Sequence, residues 1–210
     1  MSTALQERRR RYVAREIAVA AMRLFGEHGF ENVTVEEIAK VVGISSRTFF
    51  RYYATKDEVV LQYQRRIQER LVDALASRPT EEGPVTALRS AYLATSHVAP
   101  EDREAVLLTN RFMTASPALT TRAHGVRTSE SQRVIELLAG RMGMDPETDP
   151  RPETIAVSMG AAAGAAFQRW IAQGGHGDPA EEIAKALGML EGGLVQFDVR
   201  PPRHRRRRTA

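Results

Sequence analysis

Residues 34–53 read TVEEIAKVVGISSRTFFRYY. Thr34 and Glu37 have the spacing of a capping box, in which each side chain bonds the backbone N–H of the other residue at the start of a helix. Gly43 ends that helix, and one of the two serines that follow can cap a short third helix. Two short helices joined by a glycine-containing turn are typical of a helix-turn-helix, although many helical proteins contain such a corner without touching DNA.

Polar and aromatic side chains on the third helix favour a corner that binds DNA. The side chains that we expect to be exposed there are Ser46, Arg47, Phe50, Arg51 and Tyr52. The capped start of the second helix and the ammonium of Lys56 offer donors for phosphate oxygens on either side of the third helix. A first helix is predicted over roughly residues 7–28, and the arginine run Arg8–Arg11 is expected to precede it as an electrostatic arm.

Charge is distributed unevenly along the 210 residues. Residues 1–56 carry ten Lys or Arg against six Asp or Glu, a net charge of +4. Residues 57–197 carry 14 against 19, a net charge of −5, and residues 198–210 carry six against one, a net charge of +5. Both terminal regions are therefore basic and the central region is acidic. This distribution indicates that one end of the chain binds a polyanion, while the central region has a different function.

The composition excludes several kinds of site. The chain has no cysteine, which removes disulfides, thiolate metal sites and cysteine nucleophiles, and its five histidines have no spacing for metal ligation from one helix face. No catalytic triad in a strand–turn–helix setting and no glycine-rich phosphate loop is found. The prediction is therefore a protein that is not an enzyme, without catalytic residues, cofactor or metal. Because no apolar signal segment follows the charged N-terminus, the expected location is the cytoplasm.

The remainder of the chain reads as helical, and no run of alternating β-branched residues predicts a strand. Helices are predicted near residues 56–77, 84–98, 101–115, 118–142, 152–173 and 179–197. The fifth of these is rich in alanine and glycine, which give too little transfer energy for a membrane span. The sequence thus predicts an all-α fold with a helix-turn-helix domain over 1–55, a helical domain over 56–197 and a disordered basic tail over 198–210.

The sequence of residues 34–39 and 43–60 resembles the N-terminal signature of TetR-family transcriptional regulators. The resemblance covers about residues 12–61, and the cap, the turn, the third helix and the lysine that opens the fourth helix keep the family spacing. It implies an all-helical homodimer with a three-helix DNA-binding domain and a larger C-terminal domain that binds a small molecule and dimerises. Most such regulators repress nearby genes and leave the DNA when the ligand binds.

The resemblance also implies which residues contact DNA. The implied set is Thr34, Ser45, Ser46, Arg47, Thr48, Phe50, Arg51, Tyr52 and Lys56. Within it, Thr34, Tyr52 and Lys56 are phosphate contacts. Arg47, where the family often has glycine, either reads a guanine bidentately or neutralises a phosphate, and Phe50 cannot donate a hydrogen bond but can contact a thymine methyl. Ile44, Phe49 and Tyr53 would be buried, and the Tyr53 hydroxyl then needs a partner.

The body is expected to hold the effector and the dimer contact. Residues 116–119, 141–146 and 168–171 resemble a branch common in actinobacteria, some of whose C-terminal domains are likened to acyl-CoA-responsive regulators. Candidate effector-binding residues are Tyr92, Asn110, Arg111, Phe112, Phe167 and Trp170, although such side chains more often belong to a core or a helix surface. The helices near 152–173 and 179–197 are the candidate homodimer interface, or else their small residues face the subunit's own core.

The predicted function is a ligand-responsive DNA-binding regulator, most simply a repressor released from a two-fold operator by a small organic molecule. The partners are then double-stranded operator DNA, an effector of unknown identity and a second copy of the chain, with no membrane. Two alternatives stay open at this point. The chain could be a transcriptional activator, or a nonspecific nucleic-acid or protein interaction module without a small-molecule effector that uses its basic ends as anchors.

Overall fold

The computed structural model describes residues 2–115 and 117–193, which form nine α-helices and one 3-10 turn and contain no β-strand. The helices are α1 (Ser2–His28), α2 (Val35–Val42), α3 (Ser46–Phe50), α4 (Lys56–Ala76), α5 (Pro84–Thr95), α6 (Arg103–Ala115), α7 (Pro117–Met142), α8 (Arg151–Ala172) and α9 (Pro179–Glu191). The 3-10 turn Pro100–Asp102 precedes α6. The all-α prediction is confirmed, and none of the helices within these two ranges is long and apolar enough to span a membrane.

Two helix ends differ from the sequence prediction. The first helix begins at Ser2, so Arg8–Arg11 lie inside α1 rather than on an arm before it. The reason is that Ala, Leu, Gln, Glu and Arg in this segment are all good helix formers and no Gly or Pro interrupts them. At the other end, α9 stops at Glu191, before two glycines, instead of continuing to residue 197. The predicted tail over 198–210 lies outside the described residues.

The buried apolar side chains form two clusters. The first joins α1, α2, α3 and the start of α4, and it also takes in Phe112 from α6 and Leu119 from α7. The second joins the C-terminal part of α4 to α5, α7, α8 and α9. Because α4 and α7 contribute to both clusters, these two helices connect the body to the helix-turn-helix.

Arg141, in the last turn of α7, fixes the far end of α4. Its guanidinium donates hydrogen bonds to the carbonyls of Leu75 at 2.9 Å, Arg78 at 2.8 Å and Pro79 at 2.7 Å. Leu75 belongs to the last turn of α4, and its carbonyl also accepts from the backbone N–H of Arg78 at 3.2 Å. The arginine therefore adds a second hydrogen bond at the helix end and ties α7 to the turn that follows α4.

Candidate DNA-binding surface

The start of α2 is held by the predicted capping box. The backbone N–H of Glu37 donates to Thr34 Oγ1 at 3.2 Å, and the backbone N–H of Thr34 donates to Glu37 Oε2 at 2.8 Å. The Thr34 hydroxyl itself donates to the same carboxylate oxygen at 3.0 Å. These hydrogen bonds from the backbone and side chain of Thr34 lower the pKa of Glu37. Thr34 is exposed, and its hydroxyl proton is engaged within the cap.

The turn and the start of α3 follow from local chemistry. Gly43 has a φ of 73°, which other residues rarely adopt, and the next backbone N–H, of Ile44, bonds the Ala39 carbonyl at 2.9 Å. Ser45 is the N-cap of α3, and its hydroxyl oxygen accepts from the Thr48 backbone N–H at 3.1 Å. The hydroxyls of Ser45 and Thr48 lie 3.0 Å apart and share a further hydrogen bond.

The back of α3 is anchored in the first cluster. Phe49 is fully buried and Tyr53 is 1% exposed, with ring centroids 5.8 Å apart. The Tyr53 hydroxyl donates to the Ala14 carbonyl on α1 at 2.8 Å, which supplies the partner that a buried phenol needs. Burial raises the pKa of Tyr53. Ile44 is half-buried rather than buried.

The opposite side of α3 faces solvent. Arg47 and Arg51 are exposed, Phe50 is 52% exposed, and Ser46 and Tyr52 are half-buried. The Arg51 guanidinium lies over the Tyr52 ring, 5.4 Å from its centroid. We call this set, Ser46, Arg47, Phe50, Arg51 and Tyr52, the recognition surface. A cation on an aromatic face keeps both side chains extended along the surface instead of folded into the core.

Lys56 has a different environment from the one that a phosphate contact requires. Its ammonium donates to the carbonyls of Phe30 at 2.7 Å, Glu31 at 3.2 Å and Val33 at 3.1 Å, and lies 4.5 Å from the centroid of the Phe30 ring. An ammonium has three N–H donors, and all three have acceptors in the loop between α1 and α2. In this geometry Lys56 holds α4 to that loop and has no donor left for a phosphate.

The six candidate effector residues do not lie at one site. Phe112 is 4% exposed and packs in the first cluster, with its ring centroid 5.5 Å from Phe25 and 6.4 Å from Phe30. Arg111, next to it on α6, is exposed. Phe112 thus joins the body to the helix-turn-helix, and its role in effector binding stays a prediction. The sequence could not distinguish a core contact from a cavity wall, because a phenylalanine on an apolar helix face has the same sequence pattern in both.

The other four candidates lie around α8. Phe167 and Trp170 stack with centroids 5.5 Å apart, and the Trp170 indole N–H donates to the Gly177 carbonyl at 3.2 Å. Asn110 accepts a hydrogen bond from the Gln168 side chain at 3.1 Å. Tyr92 is half-buried, its hydroxyl lies beside Gly160, and burial raises its pKa to about 12.

A close approach between the body and the helix-turn-helix was missed by sequence reasoning. A Cβ added at Gly26 on α1 would lie 2.3 Å from the Cβ of Leu108 on α6, so only glycine fits there. The available signal was a glycine inside a helix next to Leu24 and Phe25, since such a glycine usually marks close packing. No group of three or more acidic or histidine side chains in the described part of the chain could hold a metal ion.

Comparison with known proteins agrees with this architecture. The family described as bacterial regulatory proteins, tetR family, matches residues 17–63, and the MftR C-terminal domain matches residues 82–195. The HTH-type transcriptional regulator TcmR of Streptomyces glaucescens is 32% identical over 174 residues, which cover 79% of this chain and 76% of TcmR. The putative mycofactocin biosynthesis transcriptional regulator MftR of Mycobacterium tuberculosis is 29% identical over 185 residues, which cover 86% of this chain and 88% of MftR.

A solved structure adds a ligand complex to the comparison. FadR of Thermus thermophilus, a TetR-family repressor in complex with lauroyl-CoA, superposes with a TM-score of 0.54 at 25% identity, covering 90% of this chain and 96% of FadR. The C-terminal model alone matches more than half of the 210 residues, and TcmR exceeds 30% identity over most of both chains. This chain therefore belongs to the TetR family of transcriptional regulators.

Proposed function

We propose that this chain is a repressor that binds a two-fold operator as a homodimer and leaves it when a small organic effector binds the body. The observation that carries the proposal is the division of α3 into a buried and an exposed side. Phe49 and Tyr53 fix the helix from behind, and Arg47, Phe50 and Arg51 are free in front. A rigid helix with cationic and apolar groups on its outer side is suited to the major groove. A regulator of chromosomal DNA acts in the cytoplasm.

The positions of the side chains on and around the recognition surface support separate roles in contacting bases and phosphates. Arg47, at the second position of α3, has the reach for the two acceptors of a guanine, while Phe50 offers an apolar edge to a thymine methyl. Ser45, Ser46 and Thr48 bring hydroxyls, and Arg51 and Tyr52 lie at the flanks where phosphates are expected. The backbone N–H and the hydroxyl of Thr34 both donate to the Glu37 carboxylate, so in this geometry Thr34 caps α2 and has no donor left for a phosphate. Lys56 acts indirectly in this scheme, because it positions the start of α4 and the loop before α2.

Replacing Arg47 by alanine is expected to weaken operator binding about tenfold to a hundredfold, the loss typical of one bidentate base contact. The operator would first be selected from genomic fragments with the full chain, and affinities measured by fluorescence anisotropy at fixed salt. Arg151→Ala is the matched control, because it removes the same charge from a surface pair with Asp149 in the body.

Two results would oppose the proposal. Equal affinity of the parent chain for the selected fragment and for random DNA would favour a nonspecific nucleic-acid module. Equal loss in R47A and R151A would show that net charge, and not a base contact, determines the binding. Transcription from the selected promoter in the presence of the chain separates a repressor from an activator.

Small exposed residues on α8 support a homodimer through α8 and α9. Val157, Ala161 and Gly164 recur at helical spacing on one exposed face, and Met189 on α9 is 47% exposed. Gly160 faces inward, since a Cβ there would lie 3.1 Å from the Tyr92 hydroxyl, whereas a Cβ at Gly164 meets no atom within 4 Å. Small residues on an outer helix face allow a second pair of helices to pack closely.

Replacing Gly164 by arginine is expected to convert the dimer into monomers at micromolar concentration, because the long charged side chain points away from its own subunit into the proposed interface. Sedimentation velocity of the whole chain gives the readout. Gly140→Arg is the control: Gly140 is also an exposed helix glycine whose Cβ would meet nothing within 4 Å, but it lies on α7. A G164R protein that remains dimeric would place the interface elsewhere.

The proposed effector class is an acyl-CoA thioester. This rests on the resemblance of the body to acyl-CoA-responsive regulators and on the lauroyl-CoA found in FadR, and Tyr92 and Phe167 beside the small residues of α8 offer an apolar wall with one hydroxyl. Lauroyl-CoA is expected to release the chain from the selected operator, whereas CoA without the acyl chain should leave it bound. The measurement is anisotropy of labelled operator during titration with each compound.

A further inference from the structure

Among the described residues, all exposed large apolar side chains except Leu5 and Ile67 lie on three surfaces. Phe50 belongs to the recognition surface, and Val157 and Met189 belong to the proposed dimer interface. The third surface has no assigned partner: Tyr12 and Val19 on α1 and Val41 on α2 are 64%, 59% and 49% exposed. Large apolar groups exposed together on a folded protein usually mark a surface that meets another molecule.

The third surface is an open groove of about 460 Å³ between α1 and the end of α2. It is lined by Tyr12, Val13, Glu16, Val19, Ala20, Arg23, Val41, Val42 and Ile44. Its apolar floor is accompanied by one acidic and one basic side chain, Glu16 and Arg23, both on the exposed face of α1. The Arg23 guanidinium also lies 3.7 Å from the Glu27 carboxylate one turn further along α1, an exposed pair of the kind that contributes little and can rearrange. We call it the α1–α2 groove.

The charges argue for a protein occupant. One carboxylate and one guanidinium leave the groove without net charge, so the groove offers the DNA backbone no net attraction. Along α1 the groove presents Glu16 first and Arg23 second. A complementary occupant is a helix that places a guanidinium opposite Glu16 and a carboxylate opposite Arg23, with apolar side chains between these two charges. The α1 helix of a second copy, running antiparallel, has this pattern.

We propose that the α1–α2 groove docks the same groove of a second copy through an antiparallel pair of α1 helices. Tyr12, Glu16, Val19 and Arg23 are spaced by four, three and four residues, which is the seam spacing of two packed helices. With a two-fold axis between positions 16 and 19, Arg23 of each copy enters the hole between Tyr12 and Glu16 of the other. The contact then forms two reciprocal ion pairs, each with a guanidinium beside a tyrosine ring.

The paired copies belong to different dimers, and this step rests on the proposed function. Within one operator-bound dimer the two recognition helices are about 34 Å apart, one turn of DNA, so their α1 helices cannot pack together. A patch of three exposed apolar side chains is small for a stable interface. When two dimers occupy neighbouring sites, DNA raises their effective concentration and the weak contact becomes cooperative binding.

Cross-linking of the full chain tests this contact. Because the natural sequence has no cysteine, Val19→Cys introduces a single thiol, and a short bis-maleimide should join two chains through it at high protein concentration and low salt. Arg10→Cys, on the opposite side of α1, is the control and should give little product. In native sedimentation the V19C product should be a four-chain particle, because each linked chain keeps its dimer partner.

Charge exchange identifies the register. In the V19C background, E16R or R23E alone replaces both reciprocal attractions by repulsions and should lower the cross-linked yield about tenfold. The combined E16R/R23E variant restores opposite charges and should recover the yield. Equal yields in all four proteins, no recovery in the double variant, or a two-chain native product would overturn the proposal. Binding of the parent chain to a single operator tests the proposed function separately.

Discussion

Replacing Lys56 by methionine is expected to lower the free energy of unfolding by about 2–4 kcal/mol. Methionine keeps the apolar stem but removes the ammonium, which leaves the carbonyls of Phe30, Glu31 and Val33 without their donor. Two of these three hydrogen bonds are partly buried, so water replaces them incompletely. Urea unfolding followed by circular dichroism measures the change.

The same variant separates the two roles considered for Lys56. Lys40→Met is the control, because Lys40 is exposed on α2, and its loss should change stability by less than about 0.5 kcal/mol. If Lys56 instead contacts phosphate, K56M should unfold like K40M, and the dependence of operator affinity on salt should fall by about one unit. An unchanged salt dependence with reduced stability is the result that the geometry predicts.

Replacing Phe112 by alanine is expected to destabilise the protein by about 3–5 kcal/mol, the usual cost of emptying a buried aromatic site. Phe112 is 4% exposed and contacts Phe25 and Phe30, so the cavity would open where α6 meets the helix-turn-helix. Phe112→Leu should cost less, because it keeps most of the volume. Thermal and urea unfolding of the whole chain give both values.

Phe50 provides a matched control for Phe112. It is the same residue type but 52% exposed on the recognition surface, so F50A should unfold almost like the parent and weaken operator binding instead. The opposite pattern would contradict both assignments. If F112A unfolds like the parent but loses its response to lauroyl-CoA, Phe112 lines the effector site and the contact between body and helix-turn-helix is carried by other residues.

Local features of the helix-turn-helix were predictable from sequence. The capping box of Thr34 and Glu37, the helix end at Gly43 and a serine cap on α3 each depend on residues within a few positions of one another, and all three are present. The structure assigns the cap to Ser45 rather than Ser46. Alternation of buried and exposed positions on α3 also follows from helix periodicity, and Phe49 and Tyr53 lie inside as expected. The partner of the Tyr53 hydroxyl, Ala14 on α1, required the folded chain.

Roles that depend on distant residues were less predictable. The ammonium of Lys56 reaches carbonyls 23–26 positions earlier, and Phe112 meets a ring more than 80 positions earlier. A lysine near a DNA-binding helix reads as a phosphate contact, and an aromatic residue in an effector domain reads as a cavity wall. Both interpretations rest on the residue type and on its neighbours in the sequence. Neither of these identifies the acceptor that contacts Lys56 or the ring that contacts Phe112 in the folded chain.

The amino-acid sequence by itself determined the helical class, the family and the amphipathic character of α3, because caps, turns and periodicity act over a few residues. Tertiary structure alone decided that Lys56 binds backbone carbonyls, that Gly26 lies against Leu108 and that Tyr12, Val19 and Val41 share one groove. Such pairings arise when helices far apart in sequence pack together. Their geometry depends on the whole set of helix contacts rather than on any local preference.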